Sequence, residues 1–251
     1  MSFTNSSLAV FKRLSPNVNP RNHEIDTVSI HCVVGQLSVE SMGEYFSHPD
    51  PVNGVSCNYC IGSDGRIGLI ADEASRSWCS SSRTNDHRAI TIECACDPTH
   101  PYAVNDAVMN SLIKLLADVC KRNNIEELKW KGDKSLIGQV DKQNMTVHRW
   151  FKNKACPGDY LYNAHGEIAR KVNEILNPAP VPAPTPIPVP PSDDSYMVKV
   201  DVNDLRIRKG PGTNYGIAGM IKDMGSYTIV ATTDGWGQLK SGAGWIYLKY
   251  T

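Results

Sequence analysis

The sequence predicts an α/β domain, a mixed central sheet flanked by helices, followed by a small all-β barrel. Three observations predict it. Through the first 176 residues, apolar runs of period two alternate with amphipathic runs of period 3.6. A proline-alternating stretch, with eight prolines between Pro178 and Pro191, then interrupts the chain. From Ser195 onward only short strand-like runs appear, separated by Gly-rich turns. The expected organisation is an α/β domain at 1–176, a linker at 177–194 and a β domain at 195–251.

Taken in order, residues 2–25 are polar, carry Pro16 and Pro20, and read as an ordered surface arm without periodicity. Asp26 to Val33 alternates: Val28, Ile30 and Cys32 share one face, Thr27, Ser29 and His31 the other. Ser38 to Phe46 reads as a short helix that Ser38 caps. Ser56–Gly62 and Arg66–Ala71 flank Ser63-Asp64-Gly65 and predict a hairpin. Ala89 to Cys96 reads as a central strand, with Ile90, Ile92, Cys94 and Cys96 on its apolar face and Thr91 and Glu93 opposite. A lone Glu in so apolar a strand is costly to bury unpaired, so its face should hold a compensating group. Asn105–Asn123 is the clearest helix, with Val108, Leu112, Leu115, Leu116 and Val119 as its stripe. Leu128–Gly138 is ambiguous, Met145–His148 reads as a strand, and His165–Leu176 as a closing helix. The linker composition favours an extended spacer of about 3.1 Å per residue.

Several function classes fall away early. Lys plus Arg equals Asp plus Glu at 26 each, so net charge gives no reason to expect nucleic acid. No apolar run is long enough to cross a bilayer, and the opening residues lack an export signal. The expectation is a monomer made in the cytoplasm, with no membrane insertion. Eight cysteines in a chain of this size do not read as a disulfide framework. Cys57 and Cys60 have CxxC spacing, but in a strand-like run they would face opposite ways and pack as small apolar residues.

The densest chemistry lies in His148–Gly158, which holds an imidazole, a primary amine at Lys154 and a thiol at Cys156 on a Pro-Gly turn. With His31 these make two imidazoles and one thiolate, an open Zn2+ site with a free fourth position. A closed structural site and a pair of ordinary polar core histidines are the alternatives. Cys32, beside His31 on a strand, points the other way and is a poor fourth ligand. Glu93 is the candidate general base and Lys154 the candidate oxyanion partner. Asn58 and Asn85 are candidate substrate contacts. His23, His48, His87, His100 and His165 read as surface or loop residues.

These residues resemble a known family. Thr27-Val-Ser-Ile-His31, Val55-Ser-Cys-Asn-Tyr59 with Ser63-Asp-Gly65, Asn85 through Glu93, and His148 with Lys154-Ala-Cys-Pro-Gly158 are similar to the type-2 N-acetylmuramoyl-L-alanine amidases, across about residues 20–176. The resemblance implies Zn2+ on His31, His148 and Cys156, and Glu93 and Lys154 as catalytic residues. It also implies bacterial peptidoglycan as partner, cut at the amide between muramic acid and L-alanine. Other branches carry a Tyr where this chain has Cys57, which leaves the proton work to Glu93. The tail, with Leu205 to Tyr215, Gly235-Trp236 and Gly244-Trp-Ile246, resembles bacterial SH3-like wall-binding domains, with Tyr215 and Trp236 as candidates for stacking on the wall or, equally, for the core. The combination implies a phage-type endolysin that acts at the wall after release at lysis. A host autolysin and a non-catalytic recognition protein are the rivals.

Overall fold

The two eight-residue strands that carry His31 and Glu93 lie side by side in one parallel ladder. The rest of the first unit is arranged around them. A computed structural model describes residues 3–178 and 195–251. The chain divides into two compact units, residues 1–178 and 179–251. The expected linker falls mostly on 179–194, outside the described residues.

In the first unit the strands are β1 (Ala9–Lys12), β2 (Val18–Pro20), β3 (Thr27–Val34), β4 (Tyr59–Ile61), β5 (Ile67–Leu69), β6 (Ser75–Ser77), β7 (Ala89–Cys96) and β8 (Met145–Thr146). The helices are α1 (Val39–Phe46), α2 (Arg83–Arg88), α3 (Asp106–Arg122) and α4 (Gly158–Leu176). Six strands form a mixed sheet in the order β1-β5-β4-β7-β3-β8, and β2 pairs with β6 apart from it. The β4–β5 hairpin turns at Gly65, whose φ of +82° suits glycine and whose missing side chain admits the Ala107 carbonyl oxygen. Ser38 and Asn105 cap α1 and α3 through Ser41 N–H and Val108 N–H.

The two faces of the sheet bury different chemistry. Val28, Ile30, Tyr59, Ile61, Ile90, Ile92 and Cys94 pack with α3 and α4 in the main core. Burying each large apolar side chain contributes roughly 1.5–3 kcal/mol, so the stripe Val108, Leu112, Leu115, Leu116 and Val119 fixes which side of α3 faces the sheet. The opposite face carries His31 and Glu93, with a smaller apolar cluster of Val39, Met42, Phe46, Cys57, Cys60, Ile70, Cys79 and Ala95.

Several expectations need correction. Residues 2–25 are not merely a surface arm: they supply β1 and β2, and the buried Arg21 donates to the Glu73, Asp86, His87 and Ser75 carbonyls. The closing helix begins at Gly158, seven residues before the expected start at His165. His165 fills an apolar position of the stripe Leu161, His165, Ile168, Ala169, Val172, and a polar reading of it cuts the helix short. The strand expected at Met145–His148 has only two residues, and His148 opens a 3-10 turn. Cys57 and Cys60 share one apolar cluster rather than opposite faces, because Cys57 precedes β4 and strand alternation does not govern it. All eight cysteines are free thiols.

The second unit is all-β: β9 (Tyr196–Lys199), β10 (Leu205–Arg208), β11 (Ile217–Ile221), β12 (Ser226–Thr233), β13 (Trp236–Leu239) and β14 (Trp245–Tyr247), ordered β11-β10-β14-β13-β12-β9 with antiparallel neighbours. Its core is Val200, Leu205, Ile207, Ile221, Ile229, Leu239 and Ile246. Strand β11 escapes sequence reading because it is a largely exposed edge strand with Gly219 at its middle. Trp236 is not an exposed stacking residue: it is 8% exposed and packs on Tyr247. Tyr215 is 43% exposed, its ring lying over Gly210 and Gly212. Among the described residues, no helix is long and apolar enough to cross a membrane.

A buried charge network ties β4 to α3. Glu73 accepts from the Tyr59 hydroxyl at 2.7 Å and from Arg122 at 2.6 Å, and its side chain is fully buried. Glu73→Ala would leave the Tyr59 hydroxyl without its acceptor and Arg122 with Asp118 as its remaining carboxylate partner, and is expected to cost about 3–5 kcal/mol in urea unfolding. A loss below about 1 kcal/mol would show the pair to be dispensable.

Candidate metal centre

Parallel pairing sets His31 opposite Glu93 and Glu93 opposite Cys60, so three strands place a row of side chains on the same face. One row back, Ser29 lies between Thr91 and Thr146. His31 is fully buried, and its Nε2 lies 3.0 Å from Ser29 Oγ. Ser29 Oγ also lies 3.3 Å from the Thr146 carbonyl, which can only accept, so the hydroxyl proton goes there. Ser29 Oγ therefore accepts from His31 Nε2–H, and Nδ1 is left with its lone pair. That Nδ1 lies 3.4 Å from Cys156 Sγ and 3.9 Å from Glu93 Oε1.

The other two donors come from the turn after β8. Arg149 N–H donates to the Cys156 carbonyl at 3.1 Å, closing the loop so that His148 and Cys156 return to the same place. Beneath it Trp150 stacks on Trp130, at 5.1 Å between centroids and 5° between planes. His165, expected at the surface, is fully buried 4.4 Å from Trp130, and its Nδ1–H donates to the Leu161 carbonyl. It is part of the support for the turn. The donor atoms of His31, His148 and Cys156 all lie within 4.8 Å of one another.

The electrostatics suit a soft cation. Burial, then His148 and His165, hold His31 well below the usual histidine range, so it is neutral. Burial and the Lys154 charge lower His148 as well. Cys156 is held above its ordinary value: a hydrogen bond from Cys32 lowers it, but burial and Glu93 outweigh that. Burial pushes Glu93 up to about 7, with a lowering contribution from the Cys79 thiol. Its Oε1 accepts from Cys79 Sγ–H at 3.6 Å, and its buried Oε2 has no partner among the described residues. Two neutral imidazoles and one thiol fit zinc, and the 3.4 Å between Nδ1 and Sγ is close to the about 3.5 Å that tetrahedral zinc bond lengths require. Lys154 is exposed two residues before Cys156, on the same turn.

Asn58 and Asn85, the candidate substrate contacts, are buried and bonded to the chain itself. Asn58 is fully buried, donating to the Ser75 carbonyl and accepting from Thr91 N–H, each at 3.2 Å. Asn85 accepts from Thr146 Oγ at 2.9 Å and donates to Ser80 Oγ. The chain's own polar groups engage both amides. What sequence reading missed is the loop they steady. Asp86 accepts from the Cys79 and Ser80 backbone N–H groups, fixing a turn that aims Cys79 at Glu93 and places Ser81 Oγ 3.1 Å from His148 Nε2. Ser81 adopts a φ of +64°, an uncommon conformation for serine that this turn imposes. A Ser-rich loop without periodicity carries no signal for these contacts, whereas Ser29 was visible on the His31 face. Ser29→Ala is expected to weaken zinc binding about 10- to 100-fold in chelator competition, with the fold intact. Unchanged affinity would remove the relay from the account.

A family model described as N-acetylmuramoyl-L-alanine amidase matches residues 21–159, more than half of the chain. Similar solved structures include PlyL, 15% identical, covering 65% of this chain and 96% of its own, with a TM-score of 0.47. A selenomethionine derivative of AmpD is 19% identical, covering 67% and 99%, with a TM-score of 0.47. The endolysin and N-acetylmuramoyl-L-alanine amidase LysCS from Clostridium intestinale URNW is 16% identical, covering 67% and 99%, with a TM-score of 0.43. The comparison with curated protein sequences finds no match. With more than half its length matched, and that span holding His31, Glu93, His148 and Cys156, the chain belongs to the N-acetylmuramoyl-L-alanine amidase family.

Proposed function

We propose that the chain is a zinc-dependent peptidoglycan hydrolase that cuts the amide between the lactyl group of N-acetylmuramic acid and the L-alanine of the stem peptide. The observation that carries this reading is the meeting of His31, His148 and Cys156 donors within 4.8 Å, beside a buried carboxylate. Zinc held by those three would carry a net +1 charge and supply Lewis acidity toward a carbonyl oxygen and toward water.

The chain's own groups do the rest. Glu93 takes a proton from the attacking water and delivers it to the leaving nitrogen, so the products are a lactyl carboxylic acid and a free L-alanine amine. A carboxyl poised at about 7 accepts and releases a proton readily near neutral pH. Lys154 stabilises the negative charge that develops on the carbonyl oxygen, and its field already reaches the site through His148. Ser29 keeps His31 in the tautomer that presents Nδ1.

The second unit serves in this reading as an SH3-like wall-binding domain, with Tyr215 as the exposed aromatic contact and Trp236 as core. Joining the two units raises the concentration of the first at an insoluble polymer. An endolysin that reaches the wall at lysis is the role this organisation supports.

Mass spectrometry of products from purified walls tests the reaction. The expected result is free N-terminal L-alanine on stem peptides, no new reducing sugar ends, and loss of both product and lysis with chelator until zinc is restored. New reducing ends would overturn the amidase reading. Glu93→Gln should keep its metal and lose at least about 100-fold in turnover. A carboxylate base works when deprotonated, so wild-type activity should rise with pH. Because a nearby cation lowers the carboxyl from about 7, that rise should lie below pH 7. A Glu93→Gln variant with the same rise and rate would move the base elsewhere.

A further inference from the structure

The site holds a second group of metal donors that overlaps the first. The His31, Cys79 and Glu93 donor atoms also lie within 4.8 Å of one another. We propose that this trio is a second position for the same ion, sharing His31 and lying on the Glu93 side of it.

Three observations support it. Cys79 Sγ lies 3.6 Å from Glu93 Oε1, and His31 Nδ1 lies 3.9 Å from the same oxygen. Tetrahedral zinc with ordinary bond lengths places S and O about 3.6 Å apart and N and O about 3.4 Å apart, so small side-chain shifts complete the set. Second, Glu93 Oε2 is buried without a hydrogen-bond partner, and among the described residues no Lys or Arg pairs with this carboxylate. A buried carboxylate so placed gains from a cation. Third, Cys79 is held where it is by its own backbone: Asp86 accepts its N–H at 3.2 Å, so the thiol stays aimed at Glu93.

His31 offers only Nδ1, since Nε2 is taken by Ser29, so the two positions exclude one another. The first trio leaves a net +1 charge on zinc. The second adds a thiolate and a carboxylate to one neutral imidazole and leaves none, and binding releases the Cys79 thiol proton to solvent. An ion in the second position engages Glu93, which is then no base. The second position is an alternative, hydrolytically idle place for the ion, filled when the Cys156 thiolate is not available to hold it in the first.

The proposal rests on the zinc reading above only through His31, and the test separates the two. The full-length chain and its Cys156→Ser, Cys79→Ser and doubly substituted variants are stripped of metal and loaded with Co2+. The readouts are cobalt content and the near-ultraviolet thiolate-to-cobalt absorption band. The expected result is that Cys156→Ser keeps bound cobalt and the thiolate band while losing hydrolysis. Cys79→Ser should keep the band through Cys156, and the double variant should lose it. A Cys156→Ser chain without the band, beside a Cys79→Ser chain that keeps it, overturns the second position and leaves the first. A band that survives in the double variant overturns it too, by assigning another cysteine. No band in the wild type sinks both readings. Thermal unfolding of each variant separates loss of a donor from loss of the fold, and Cys156→Ala carries the same test if Cys156→Ser does not fold.

Discussion

The parallel pairing of β3 with β7 is the constraint on which the rest depends. Eight consecutive register pairs, from Thr27–Ala89 to Val34–Cys96, leave no freedom to slide one strand past the other. A slip by one residue would send His31 toward the main core and Ile30 toward the polar face. The apolar partners Val28, Ile30, Ile90 and Ile92 therefore do more than fill space. Their burial under α3 and α4 decides that an imidazole and a carboxylate stand together on the opposite side. The cost of burying Glu93 is accepted because the sheet's hydrophobic face dictates the register.

A sheet alone positions only half the centre. His148 and Cys156 come from a turn whose backbone closes between Arg149 and Cys156 and rests on the Trp130–Trp150 stack. Cys79 and Ser81 come from a turn closed by Asp86. Each loop is tied down by hydrogen bonds to its own backbone or to side chains in the adjacent helix. Rigid elements below and bonded turns above hold the donor atoms near one another, which reduces the ordering that ion binding must impose. The surplus of donors on one side of His31 has a consequence: residues that steady the base also offer an ion an alternative.

Much of this was legible in the sequence. Alternation in Asp26–Val33 and Ala89–Cys96 assigned faces correctly, because both strands bury one apolar side and the period of two is clean. The α3 stripe and the Ser38 cap were equally plain. What failed had physical causes. His165 hid in an apolar stripe because a buried histidine looks polar on paper, and α4 lost its first seven residues with it. Trp236 could be assigned neither to the surface nor to the core, because a tail of short strands shows little about which face is covered. Asn58 and Asn85 sat among the right residues but spend their amides on loop carbonyls and hydroxyls. Cys79 and Ser81 were invisible because a turn held by side chain–backbone hydrogen bonds leaves no periodic trace.

Everything proposed for this site requires that two imidazoles and one thiolate converge on one ion. X-ray absorption at the zinc edge of the zinc-loaded, full-length protein tests it most directly. The expected spectrum has two imidazole nitrogens at about 2.0–2.1 Å and a single sulfur at about 2.3 Å. A spectrum with no sulfur, or with two or more sulfurs, would contradict it.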